Sequence, residues 1–427
     1  MNFKFLQIVL LLVFMFLSTL SRVQGQSVIG GEISYRYLSL NTYEVILDVY
    51  ADCKETPLVG AQVINWNDFS CGVSANSITV NLESGYPQDV SPICADSVNA
   101  CNGGRFLGRN HYRYSGILSL TGSCSNVLMS WTYQFRQNII NTLSASATQA
   151  LHVEARFDAT VLGANSAPEF LYDPLFFSCR DELINYSYKA IDPDGDSLAY
   201  SLVGCRRAAF TTVNYSGPYN GSNPLNTSGP TLSIDNLTGA IEFNAIGNSD
   251  APICVLVEEY RNGILIGARV RDVQLRVRNC ANSLPTLSGI DNTTNYQTLA
   301  TVNTPLNFYV IGNDLRNIVA NANVTMLYDN TISGATLTTG PASAFGPDAI
   351  RGDFNWTPAA GDEGIHNFTI YVDDNNCPRL GSRIITYNIN VQPAPPNPVI
   401  TSPATDTTIC IGDSAQLNAF GTGPNPV

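Results

Sequence analysis

Hydrophobic and polar residues alternate with period two along most of this chain. In "TYEVILDVYADC" (42–53), Tyr43, Val45, Leu47 and Val49 share one face. In "ALHVEARFDATV" (150–161), Leu151, Val153, Ala155 and Phe157 point one way and His152, Glu154, Arg156 and Asp158 the other. "RDVQLRVRNC" (271–280) repeats the device with Val273, Leu275 and Val277. Such alternation marks half-buried strands. No long segment carries a helical period, and 33 Gly with 23 Pro interrupt the chain at the spacing of sandwich turns. The pattern predicts an all-β protein, and 427 residues exceed what one core usually organises.

Boundaries come from four stretches. Lys4 precedes an apolar run from Phe5 to Leu20 and a short polar stretch ending at Gly25, the layout of a secretory signal peptide. The run is short for a membrane anchor, with an uncleaved signal anchor as the competing reading, and no later stretch is apolar enough to span a bilayer. "ANSAPEF" (164–170) and "ANSLPTL" (281–287) repeat one joining sequence, whose proline sets an extended crossing between domains. "QPAPPNP" (392–398) reads as a stiff spacer. The expected blocks are a signal peptide at 1–25, β-sandwiches at 26–163, 164–280 and 281–392, and a Pro-rich linker with the first strands of a further sandwich at 393–427. Thirty or so residues cannot complete a sandwich, so the chain is expected to be the N-terminal part of a longer protein.

Charge narrows the partners. The formal net charge is −13, and loss of Lys4 and Arg22 with the signal makes the chain more acidic still. That balance lacks the basic footprint of nucleic-acid binding and is repelled by anionic lipid. Divalent cations, glycans and other proteins remain. Eleven cysteines in an exported chain point to disulfides. Cys53, Cys71, Cys94, Cys101 and Cys124 fall in the first sandwich, which leaves one over, and Cys179, Cys205, Cys254 and Cys280 in the second. Pairing within blocks is expected, with Cys179–Cys205 and Cys254–Cys280 preferred among the three connectivities open to the second set. Cys410 would pair further along its own domain.

The most pointed chemistry is "AIDPDGDSLAYSL" (190–202), which sets Asp192, Asp194 and Asp196 around Gly195. An EF-hand needs glycine sixth and glutamate twelfth, and counting from Asp192 those positions hold Ser197 and Val203. Alternation on both sides (Ile184, Tyr186 and Tyr188; Leu198, Tyr200 and Leu202) predicts two strands joined by a tight turn. Three close carboxylates repel, and a hard cation relieves them; the competing reading is a solvated turn in which Asp and Gly serve backbone geometry. Asp373 and Asp374 form a weaker candidate of the same kind. Glu258 and Glu259 lie on opposite faces of a strand, and one is expected to meet Arg261 or Arg269. "RGD" at 351–353 is read as chance, and the Asn-x-Ser/Thr sequons as an Asn- and Thr-rich surface.

"APEF", "YSYKAIDPDGDSLAYSL", "LSIDNLTGAIEF" and "GDFNWTPAAGDEGIHNFTIYVDDNNCP" resemble the cadherin-like and immunoglobulin-like modules of secreted bacterial surface proteins. "GGEISYRYL", "YEVILDVYADC" and "RQNIINTL" resemble the N-terminal module of large Bacteroidota cell-surface proteins, and "TDTTICIGDSAQL" is similar to the opening of their PKD-like repeats. The resemblance implies tandem sandwiches, a gliding-associated or adhesin role at the cell surface, and calcium at Asp192, Asp194 and Asp196 with Asp235 added from the cadherin-like pattern. No nucleophile elbow is present, and His111, His152 and His366 have no partner motif. The expected function is therefore a non-catalytic adhesion or structural array binding protein or glycan. The alternative is the non-catalytic front of a large secreted hydrolase, whose paired carboxylates would be close only in space.

Overall fold

The computed structural model describes residues 28–53, 58, 60–94, 97–280, 282–314, 324–374, 381–395 and 411. The signal peptide at 1–25, Cys410 and the tail beyond 395, residue 411 apart, lie outside them. The chain divides into two compact units. The first holds the described residues up to Pro285 with a piece from Asp373–Ile385, and the second those of Thr286–Leu315, of Val324–Val372 and from Thr386 onward.

The alternating segments of the first unit form β1 (Val28–Ser39), β2 (Thr42–Asp52), β3 (Gln62–Asp68), β4 (Val73–Leu82), β5 (Gln88–Asp89), β6 (Arg109–Ser119), β7 (Val127–Tyr133) and β8 (Leu151–Phe157). They continue as β9 (Glu169–Phe170), β10 (Phe177–Cys179), β11 (Leu183–Ser187), β12 (Ala190–Ile191), β13 (Ser197–Val203), β14 (Arg206–Ala208), β15 (Thr211–Thr212), β16 (Ser233–Ile234), β17 (Ala240–Asn244), β18 (Ser249–Arg261) and β19 (Ile264–Arg278).

Strand β19 links the blocks on either side of the cut expected at 163. One edge pairs with β18 along its length. The other takes three partners in turn: β8 at Gly267–Arg269, β1 at Asp272 and Val273, and β10, in parallel, at Arg276–Arg278. The β19–β8 pairing closes the path β19-β1-β2-β6-β4-β3-β7-β8 on itself. Fifteen residues give β19 the length to serve several partners, so blocks 26–163 and 164–280 are built through one shared strand. Tyr43, Val45, Leu47, Val49, Leu151, Val153, Ala155 and Phe157 enter one core, with Trp66 and Trp131. Val273, Leu275 and Val277 enter a second core with Ile253, Val255 and Val257 of β18 and with Ile184, Ile241 and Phe243 from the small sheet β11-β17-β16.

Expectation and structure part on the outer face of β8, where His152 and Glu154 are buried as well. Charges also line the β1–β19 contact. Glu32 is ion-paired to both Arg269 and Arg271, and the Arg271 guanidinium lies 3.7 Å from the centre of the Phe170 ring.

Four disulfides are described: Cys53–Cys101, Cys71–Cys124, Cys179–Cys280 and Cys205–Cys254. All four stay within their blocks, but the preferred connectivity of the second set is corrected, because sequence neighbours are not spatial ones. β10 runs parallel to the end of β19 and brings Cys179 beside Cys280, with Cα atoms 5.4 Å apart. The other four cysteines of the first set pair among themselves, so Cys94, which is also bonded, is the one left over and has its partner outside that set.

The second unit is built on two four-stranded sheets. β20 (Thr286–Leu287), β22 (Leu306–Asn313), β25 (Ile350–Trp356) and β24 (Thr336–Pro341) form one; β21 (Gln297–Thr301), β27 (Ser382–Gln392), β26 (Gly364–Asp373) and β23 (Thr325–Tyr328) form the other. Phe354 of the first sheet stacks on Phe368 of the second with ring centres 4.7 Å apart, and Phe368 stacks on Tyr387 at 5.4 Å. The RGD triplet lies within β25, between β22 and β24, and Arg351 is ion-paired to Asp353 at 2.6 Å. A triplet locked into a strand interior does not present itself as a loop would.

Candidate metal centre

The aspartate turn joins strands of different sheets, and no hairpin forms. Before it, β12 pairs with β9; after it, β13 pairs with β18 in the large sheet. The turn is knit by its first aspartate: Asp192 Oδ1 accepts from the backbone N–H of Asp194 at 2.9 Å and of Asp196 at 3.0 Å. Gly195 has φ +85°, a left-handed conformation that glycine adopts without strain.

Register brings a fourth carboxylate in. The first residues of β13 lie opposite the end of β18, with Leu198 across from Glu259. Glu259 is fully buried, and one carboxylate oxygen from each of Asp192, Asp196 and Glu259 lies within 4.8 Å of the other two. Twice a calcium–oxygen bond of about 2.4 Å spans about that distance, so one ion between them can touch all three.

The cluster has firm outer contacts and open inner ones. Arg261 grips Asp196 through Nε, which donates to Oδ1 at 2.8 Å and to Oδ2 at 3.1 Å, and through Nη2, which donates to Oδ2 at 2.5 Å, and it reaches the Leu162 carbonyl and Asn165 Oδ1. Tyr35 donates to Glu259 Oε2 at 3.2 Å. Asp192 Oδ2 and Glu259 Oε1 are buried with no hydrogen-bond partner among the described residues. Burial, followed by the charges of Asp192 and Asp196, pushes the Glu259 carboxyl up to about 8. Asp192 is raised as well, chiefly by burial.

These features fit a divalent cation. With all three carboxylates ionised, one guanidinium would leave two negative charges in excess; the donors are all hard oxygens, and two buried oxygens lack a hydrogen-bond partner among the described residues. Desolvation and mutual repulsion, which raise both acids, are what a cation at this point would remove.

The four residues expected to hold calcium do not all meet. Asp192 and Asp196 converge. Asp194 turns aside, and its Oδ2 accepts from the Ser166 N–H at 2.6 Å. Asp235 is spent on its own turn, accepting from the N–H groups of Leu237 and Thr238 and from the Thr238 hydroxyl. Asp374 accepts from Gly381 N–H and Asn282 Nδ2. Neither pairing expected for Glu258 or Glu259 is present: Arg261 serves Asp196, Arg269 serves Glu32, and Tyr260 donates to Glu258. The missed candidate was legible in phase, because Glu259 continues the buried stripe Ile253, Val255, Val257. An ionisable residue in step with a core face needs a partner.

The sequence matches no protein-family model. No characterised protein is significantly similar to it either.

Proposed function

We propose that this chain is an exported, non-catalytic adhesion or structural array whose first two blocks are stiffened by calcium held between Asp192, Asp196 and Glu259, and which binds protein or glycan at the cell surface. The observation that carries the reading is the buried Glu259 carboxyl, with an oxygen that has no hydrogen-bond partner, converging with those of Asp192 and Asp196. Support for export comes from the disulfides and from the absence, among the described residues, of any helix long and apolar enough to cross a membrane. Calcium would bring together the turn after β12, the end of β18 and, through Tyr35 and Asn165, β1 and the segment before β9.

Thermal unfolding in chelator and in millimolar calcium tests the cation. At ten times the dissociation constant, linkage gives about 1.4 kcal/mol, a rise in Tm of a few degrees. Protease shaving of intact cells tests the location. An unchanged Tm overturns the calcium reading, and full protection of the protein in intact cells overturns the surface role.

A further inference from the structure

A second constellation lies on the β7–β8–β14 face, outside the cation site. Thr132 and His152 are directly opposed across β7 and β8, and Arg206 of β14 is opposed to His152 on its other side. Thr132 Oγ1 is 2.6 Å from His152 Nδ1, His152 Nε2 is 2.8 Å from Glu154 Oε1, and Glu154 Oε2 is ion-paired to Arg206. His152 and Glu154 are buried while Thr132 is exposed.

The order of donors follows from this chain of contacts. Glu154, paired with an arginine, accepts, so His152 Nε2 carries the hydrogen. In the neutral imidazole, Nδ1 is then the acceptor, and the Thr132 hydroxyl must donate to it. The result is an exposed oxygen whose proton already points at a base that a third group orients, which is the arrangement of an activated nucleophile.

We propose that Thr132 is a covalent acyl-acceptor site for activated esters, with His152 as its base and Glu154 holding the ring. Thr132 Oγ1 bonds to the acyl carbon, the bond from that carbon to the leaving oxygen breaks, and the threonine proton passes through Nδ1 to the leaving oxygen. The products are an O-acyl threonine and an alcohol. No turnover is required, so the site adds covalent attachment to the array proposed above.

The probe is p-nitrophenyl acetate, applied to the folded full chain at neutral pH with peptide mapping. The expected result is one acetyl group on Thr132, formed about 100-fold faster than in His152→Gln, the lower end of what a positioned base supplies. Thr132→Ser keeps the site and Thr132→Val loses it. Melting curves establish that each variant is folded, and Thr132→Ser carries the test if the valine variant is not. Absence of acetyl at Thr132, or equal rates in wild type and His152→Gln, overturns the proposal.

Discussion

Tyr35 on β1 donates its hydroxyl hydrogen to Glu259 Oε2 on β18 at 3.2 Å, across 224 positions of chain. Burial, and then the Glu259 charge, raise the Tyr35 phenol well above its ordinary value, so it stays a donor. The first block therefore supplies part of the wall around a carboxylate cluster rooted in the second.

The proposed calcium site separates candidate ligands from bystanders. Asp192→Asn and Glu259→Gln are expected to abolish the calcium-dependent rise in Tm. Asp194→Asn and Asp235→Asn are expected to keep most of it, since their side chains serve backbone N–H groups. Calcium titrations followed by melting decide this, and equal losses in all four variants would contradict the geometry.

Glu32 should be among the costliest positions to neutralise. Burial alone would raise its carboxyl, but Arg271 and Arg269 outweigh that and hold it below the usual glutamate range. Glu32→Gln leaves two buried guanidiniums without their anion, a loss of about 3–5 kcal/mol in denaturant unfolding. A depressed native value means that the stabilisation is full above the unfolded-state value near 4.5 and fades as pH falls through the lower native one. Wild type should lose stability in that acid window, and Glu32→Gln should lose less.

Gly30 sits where β1 meets β19, and a Cβ there would come within 2.8 Å of the Asp272 backbone carbonyl oxygen. Backbone on both sides cannot swing away as a side chain would. Gly30→Ala is expected to cost about 1–3 kcal/mol. Gly122→Ala, which meets nothing within 4 Å, serves as the control for the same measurement.

Peptide mapping without reduction should recover Cys179 linked to Cys280 and Cys205 linked to Cys254. The first bond closes a separation of 101 residues, so replacing both of its cysteines by serine should cost up to about 4–5 kcal/mol in the chain-entropy limit. Recovery of Cys179 with Cys205 would refute the parallel β10–β19 pairing.

Period-two alternation by itself determined the class of this protein and the inward residues of its main strands, because side-chain direction along a strand is a local property. It also determined the aspartate turn, whose Asp and Gly chemistry is local, and it held the mark of Glu259 as an acid in step with valines. Which strands pair was decided only in three dimensions. β19 offers one edge to β18 and divides the other among β8, β1 and β10. Nothing in the spacing of its residues names those partners. The same nonlocal pairing chose the disulfides, joined two expected blocks through one strand, and set Thr132 against His152. It also sorted the acids, since Asp192 and Asp196 meet Glu259 only because β13 lies beside β18, while Asp194 and Asp235 find backbone N–H groups nearby and are used up there.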